Sequence, residues 1–422
     1  MIDLEYFRKN PEIIEAEIKK RGLSIDVGLG LKLDKERREL IVKVDKLRTE
    51  KNRASKVIPK LIGEDKKKTI LQMKKLNGGL KKLEEELDKT ENEFFKHISN
   101  YPNISHSSTP VGKNESGNVV LYHNGKKPDF DFKPKNHIEL GTHLDILDEK
   151  RASKISGSRF VFIKNEAVLL EFALVRYVMD ILIGKGFVPI IPPVLVNEKA
   201  MYGTGFFPVE ETQYYKTELD DLYLVGTSEV PLCAYHSGEF LNAEDLPLKY
   251  AAFSTCFRRE AGSYGKDLGG MFRVHQFDKI EMFIFSHPDS SWDEYENLRE
   301  NLEEIVKGLG LHYRIMNMCT GDISTPNAKK YDLEVWLPGQ NSYREIASCS
   351  HDTDFQARRL NIKYKDTKGG KGFVHTMNST ACAVGRTLIA ICENYQDSKG
   401  NVKIPDALVP YIGGRKVISR KE

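Results

Sequence analysis

The stretch of this 422-residue chain richest in groups that could do chemistry runs from Phe257 to Phe277, FRREAGSYGKDLGGMFRVHQF. It opens on Arg258-Arg259-Glu260, passes through a glycine-rich loop, and closes on Arg273-Val274-His275-Gln276-Phe277. Alternating apolar residues, Phe253 and Phe257 before the loop and Phe272, Val274 and Phe277 after it, predict two strands joined by a long excursion. Arg258 and Arg273 stand at the neck of that hairpin. Their planar guanidinium groups could hold separate phosphates through bidentate contacts, and Phe277 could offer a ring face to a base. The same pattern also fits a glycine-rich surface hairpin with solvated charges, and taken alone it does not decide between the two.

Other familiar chemistries find little support. There is no GxxxxGK[ST], and Lys368-Gly369-Gly370-Lys371-Gly372 has neither the spacing nor the hydroxyl of a P-loop, so it reads as a flexible loop. Any nucleotide would therefore be held by side chains across a sheet. The six cysteines are scattered, without a CxxC pair or a histidine at metal-ligand spacing; no zinc is expected, and buried thiols in a reducing compartment are the simplest reading. The N-terminus has no basic stretch followed by an apolar one, and no apolar run is long enough to span a bilayer, so a cytoplasmic location without membrane contact is expected.

The elements that must position these groups fall into three blocks, with expected boundaries at 1–102, 103–135 and 136–422. The first begins with two short helices over residues 1–22. From Leu33 the positions Leu33, Arg37, Leu40, Val44, Leu47, Lys51, Ala54, Ile58 and Leu61 alternate spacings of four and three, the signature of a coiled-coil seam. After Gly63 a second seam runs through Met73, Leu80, Leu87 and Phe94 to Tyr101. Two such helices joined by a short polar turn must fold back as an antiparallel two-helix hairpin, spanning about 33–101. Between Asp34 and Asn100 there are 19 Lys and Arg against 13 Asp and Glu, a net of +6 against only +3 for the whole chain. Periodicity alone fits a solvated spacer or an oligomerisation element; the basic excess favours a polyanion such as an RNA backbone.

Residues 103–135 are rich in Pro, Asn, Ser and Gly and read as a linker or docking segment. Beyond them a helix is expected over 166–183, then an extended stretch, 187–196, broken by three prolines, which belongs at a sheet edge or an interface. Later strands (222–225, 251–257, 272–277, 279–285, 331–337 and 343–348) follow one another with a single long helix, about 290–309, among them. The class is therefore α+β with a mainly antiparallel sheet.

Several stretches together resemble the seryl-tRNA synthetase family of class II aminoacyl-tRNA synthetases, over essentially the whole chain. Gly186-Phe187 to Pro193-Val194-Leu195 resembles the first class II motif, Phe257-Arg258-Arg259-Glu260 through Phe277 the second, and Ala383-Val384-Gly385-Arg386-Thr387-Leu388 the third. Thr227-Ser228-Glu229, Glu345-Ile346-Ala347-Ser348, Asp354 to Arg359 and the N-terminal hairpin, in this order, fit the seryl branch.

The resemblance implies an antiparallel catalytic sheet flanked by helices, an arm that grips tRNA(Ser), and a homodimer formed partly through the first motif. It implies a serine–tRNA ligase using ATP and Mg²⁺, with tRNA(Sec) a further candidate acceptor. By resemblance Arg258 and Arg386 are catalytic, and Thr227, Ser228, Glu229, Arg258, Glu281 and Thr380 bind serine. Arg258, Arg259, Glu260, Arg273, Val274, Phe277, Glu345, Ile346, Ala347, Ser348 and Arg386 would bind ATP, with Glu345 and Ser348 on the metal; the loop 261–272 would meet the tRNA. A paralogue charging another carrier, or a non-catalytic RNA-binding scaffold, are the alternatives. Thr380 stands where relatives carry serine but keeps a hydroxyl, Ala347 replaces a frequent serine, and Asp267-Leu268-Gly269-Gly270 lacks an arginine often found there.

Overall fold

The computed structural model describes residues 1–261 and 269–420. The chain divides into two compact units, one of residues 4–19 and 23–101, the other of residues 1–3, 20–22 and 102–422.

The smaller unit is all helical. Leu4–Lys9 and Pro11–Lys20 precede two long helices, Val27–Val57 and Gly63–Ile98, joined by a short 3₁₀ turn at Ile58–Lys60. The first long helix starts earlier than its heptads, because Asp26 accepts from the Leu29 N–H as an N-cap. Gly28 and Gly30 disguise that start in the sequence, but Gly30 is needed: a Cβ there would lie 2.3 Å from the Tyr101 hydroxyl. Seam residues Leu33, Leu40, Val44, Leu80, Phe94 and Ile98 are buried, whereas positions nearer the turn stay half-open, as expected of two helices with no third partner. Arg48 reaches across the pair to Glu84 at 2.8 Å.

The larger unit is built on an eight-stranded sheet of β1 (Val119–Asn124), β2 (Val188–Ile190), β3 (Leu248–Phe257), β4 (Gln276–Ser286), β5 (Tyr313–Asn317), β6 (Lys329–Leu337), β7 (Ser342–Thr353) and β8 (His375–Ala383). Their spatial order is β1-β5-β6-β7-β8-β4-β3-β2, and every neighbour pair is antiparallel except β2 with β3. This is the antiparallel-rich α+β architecture expected. The proline-broken stretch does supply an edge strand, β2. The 103–135 segment is more than a linker, since it contributes the opposite edge, β1; Val119 to Tyr122 are all exposed and show no alternation that would mark a strand. Phe272–His275 is not a strand: it packs as a loop, and pairing begins at Gln276, opposite Phe257.

Alternation along β4 separates core from cleft. Ile280, Met282 and Ile284 face a large core shared with helices Glu166–Gly184, Ser291–Gly308 and Val384–Asn394. Phe277, Lys279 and Glu281 point the other way, into an open cleft.

Candidate active site

The cleft has a volume of about 610 Å³ and is floored by β4, β6, β7 and β8. Arg258 enters it from the end of β3. Its main-chain N–H donates to the His275 carbonyl at 3.0 Å and its Nε to the Gly226 carbonyl at 3.1 Å, while its guanidinium lies 5.4 Å from the Phe277 ring centre. The two arms of the former hairpin are thus tied at the neck. Glu260, next along, holds a φ of +50°, a conformation that costs a non-glycine residue about 1 kcal/mol or more. Gln213 brackets this turn, accepting from the Ala261 N–H at 3.1 Å and donating to its carbonyl at 3.0 Å.

Several cations of the cleft are paired with carboxylates. Arg273 meets Glu260 at 2.6 Å, Arg386 meets Glu345 at 3.2 Å, Lys330 meets Asp332 at 3.0 Å, and Lys279 is in contact with Glu281. Arg386 also stands over the Phe272 ring at 4.7 Å. Desolvation opposes ionisation of Glu345, yet the Arg386 and Lys330 cations prevail and hold its carboxyl at about 2. A triphosphate entering here would exchange these internal partners for its own oxygens.

Glu345 and Ser348 both line the cleft although three residues apart on one strand, where regular alternation would send them to opposite faces. The reason is a β-bulge. Ala347 pairs with Leu333 and Glu345 with Glu334, so Ile346 is an extra residue that re-aims the chain. A carboxylate and a hydroxyl are hard oxygen donors, and among the described residues no group of three or more His, Cys, Asp or Glu is poised to hold a metal. This donor set fits Mg²⁺, which commonly takes one or two protein oxygens and completes its shell with phosphates and water.

The far end of the cleft is small and acidic. Glu281 is buried, with Thr227 and Thr380 hydroxyls each 3.5 Å from its Oε2. Glu229 accepts from Gln356 at 2.8 Å; burial first, then the neighbouring Asp352 and Glu281 carboxylates, push its own carboxyl well above the usual range. Thr227 hydroxyl accepts from the Lys279 ammonium at 2.7 Å and from the Glu229 N–H at 3.2 Å.

Of the residues expected from the sequence, Thr227, Glu229, Arg258, Glu260, Arg273, Val274, Phe277, Glu281, Glu345, Ile346, Ala347, Ser348, Thr380 and Arg386 are brought together in this one cleft. Two are not among its lining. Ser228 turns its hydroxyl to Ser254 at 2.7 Å, and Arg259, following Arg258 on an extended chain, points its exposed side chain away. Residues 262–268, most of the loop expected to meet tRNA, lie outside the described residues. Sequence reading missed Glu210, Gln213, Lys279, Lys330 and Asn378, all in the lining. Lys279 alone carried a signal, since it falls midway between Phe277 and Glu281 in the same alternation.

Comparison with known proteins agrees with this geometry. Residues 1–105 match the seryl-tRNA synthetase N-terminal domain, and residues 209–395 the tRNA synthetase class II core domain (G, H, P, S and T). The chain is 44% identical over 418 residues to the serine–tRNA ligase of Oleidesulfovibrio alaskensis, covering 98% of each. It is also 44% identical over 424 residues to that of Geotalea uraniireducens, covering 99% of this chain and 100% of the relative. Among solved structures, the seryl-tRNA synthetase from Pyrococcus horikoshii complexed with ATP matches with a TM-score of 0.90 at 40% identity, covering 100% of both chains. The cytoplasmic serine–tRNA ligase from Naegleria fowleri in complex with AMP matches with a TM-score of 0.86 at 35% identity, covering 100% of this chain and 99% of the other. With relatives this similar along its whole length, and with the cleft lined by residues of its second and third motifs, the chain belongs to the seryl-tRNA synthetase family of class II aminoacyl-tRNA synthetases.

Proposed function

We propose that this protein is a serine–tRNA ligase. The serine carboxylate attacks the α-phosphate of ATP, releasing pyrophosphate and leaving seryl-adenylate; the 3′-terminal hydroxyl of tRNA(Ser) then attacks the acyl carbon and AMP departs. The observation that carries the reading is the union, in one cleft, of a polycationic half and a small acidic pocket, bridged by Arg258.

The nucleophile is the substrate's own carboxylate, so the protein's task is alignment and charge stabilisation. Arg258 holds the serine carboxylate against the α-phosphate. Phe277 stacks on the adenine, Glu260 accepts from its amino group, and the Val274 main chain reads the ring edge. Arg273 and Arg386 leave their carboxylate partners for the outer phosphates. Glu345 and Ser348 would hold Mg²⁺, which would supply neutralising charge to the triphosphate. In the acidic pocket Glu229 receives the serine ammonium, while Glu281 and Thr380 receive its hydroxyl.

The basic helical arm of the smaller unit grips the tRNA, and the protein acts as a homodimer in the cytoplasm, with tRNA(Sec) a second acceptor. Among the described residues no helix is long and apolar enough to cross a membrane. ATP–pyrophosphate exchange assayed with all twenty amino acids tests the activation step: serine alone should drive it. Exchange with a different amino acid and not with serine would overturn the assignment.

A further inference from the structure

Lys279 is a buried lysine inside the pocket just assigned to serine, and none of the motifs accounts for it. Its side chain is only 7% exposed, and it lies on the same face of β4 as Phe277 and Glu281. The ammonium contacts Glu281 Oε2 and donates to the Thr227 hydroxyl at 2.7 Å. That hydroxyl in turn accepts from the Glu229 N–H and donates toward Glu281 Oε2, so its hydrogen-bonding capacity is filled by the protein. Thr380 approaches the same oxygen at 3.5 Å. Among the described residues, every donor to Glu281 therefore converges on Oε2, and Oε1 is the oxygen left for a ligand.

Charge makes the lysine necessary. Glu229 and Glu281 are both buried at this end of the cleft, with Asp352 adding its field to Glu229. The Lys279 ammonium among them keeps the pocket from collecting uncompensated negative charge before the substrate ammonium arrives. Position matters as much as charge: a carboxylate pinned by one oxygen cannot rotate, so its other oxygen presents a fixed lone pair.

We propose that Lys279 is a specificity-determining positioning residue, which pins Glu281 through Oε2 so that Oε1 is presented as the acceptor for the hydroxyl of the amino-acid substrate. This rests on the serine-ligase reading of the cleft. It assigns to Lys279 the discrimination between a substrate that carries a hydroxyl and one that lacks it. A site built to hydrogen-bond a substrate hydroxyl rejects the analogue without it by up to about 10⁴-fold, provided its acceptor is held in place. Alanine is the relevant analogue. Threonine carries the hydroxyl and must be rejected by space, so its exclusion should not depend on Lys279.

The test is ATP–pyrophosphate exchange with serine, alanine and threonine for the wild type, Lys279→Met, Glu281→Gln and the double variant. Lys279→Met should raise the serine KM and lower the serine-to-alanine ratio of kcat/KM by about 30-fold or more, a loss on the scale of one charged hydrogen bond. The KM for ATP and the serine-to-threonine ratio should stay within about threefold, less than half the free energy of that bond. In a Glu281→Gln background, Lys279→Met should change the serine-to-alanine ratio little further, because the lysine acts through the carboxylate. The double variant removes the cation together with the carboxylate it contacts, so it keeps the question open to measurement if Lys279→Met alone folds poorly. A wild type that exchanges with serine alongside a Lys279→Met variant of unchanged serine-to-alanine ratio overturns this inference alone. So does a double variant that discriminates as the wild type does. A wild type silent with serine overturns both this inference and the functional reading beneath it.

Discussion

At the scale of single residues, the cleft is a set of cations waiting for other partners. Among the described residues, Arg258 differs from Arg273 and Arg386 in making no carboxylate contact within ion-pair reach, its Nε spent instead on the Gly226 carbonyl. Replacing it with alanine should lower kcat for exchange about 10²- to 10³-fold, as expected for removal of a preorganised donor to developing charge. Exchange kinetics check this directly, and an undiminished rate would show the chemistry misplaced. Glu229 offers a second prediction. Its carboxyl is raised well above the ordinary range by burial and by Asp352 and Glu281, so in the empty pocket it keeps its proton to higher pH than a free carboxylate would. A substrate ammonium favours the ionised form, so serine binding should release a proton and tighten as pH rises. Serine KM measured from pH 6 upward should fall with pH in the wild type and lose that dependence in Glu229→Gln. Arg258, Arg273 and Phe277 were legible from the hairpin itself, and most of the others because the stretches that carry them resemble the family's motifs. Lys330 and Gln213 were not: each is a common polar residue in an unremarked stretch, and only the sheet register and the turn at Glu260 bring them to the cleft.

At the scale of elements, sequence periodicity revealed what buries an apolar face and hid what lines the site. Helix Glu166–Gly184 and the two long arm helices were legible because one stripe of each meets a core or a partner. Strand β8, HTMNSTACA, was not, since its cleft face carries Asn378 and Thr380 while its core face uses the small Ser379 and Ala381. The bulge at Ile346 is likewise invisible in sequence, although it is what makes the spacing of Glu345 and Ser348 workable. The arm has its own electrostatic anchor. Asp34 is 1% exposed and takes Arg8 at 2.7 Å and Arg38 at 2.9 Å, with Arg37 at 3.5 Å. Burial opposes its ionisation, but the Arg8 and Arg38 contacts outweigh it and lower its pKa. Asp34→Asn should destabilise the helical unit by about 3 kcal/mol, the low end for a broken buried pair because the arginines remain partly hydrated. A depressed folded-state pKa stabilises above the unfolded value and loses that contribution as pH falls through the folded one. The gap between wild type and Asp34→Asn in denaturant unfolding should therefore be full at neutral pH and close below about pH 4. Deleting residues 34–100 should leave serine-dependent exchange intact and abolish serylation of tRNA, with retained serylation sinking the role assigned to the arm.

At the scale of the whole molecule, an apolar face on the larger unit stays open to solvent. Leu169, Phe172 and Ile183 stand out from helix Glu166–Gly184, and Val188 and Ile191 from the edge strand β2 and its continuation, with Phe172 65% and Ile191 83% exposed. Large side chains clustered around one sheet edge are costly to leave in water, and an edge strand with free backbone groups invites pairing. The proline-broken sequence of this stretch explains how the edge can be exposed without running into open-ended aggregation: Pro189, Pro192 and Pro193 remove the donors that an indefinite ladder would need. A closed two-fold contact, in which each copy covers the other's apolar patch, satisfies both demands. We therefore expect a homodimer through this face, burying on the order of 1,600 Å² in total as stable interfaces do. Phe172→Glu combined with Ile191→Asp should shift the protein to monomers in sedimentation equilibrium, raising the dimer dissociation constant by about 10⁵-fold or more at roughly 2 kcal/mol for each of the two anchors lost in each copy. A double variant that sediments as the wild type does would place the contact elsewhere.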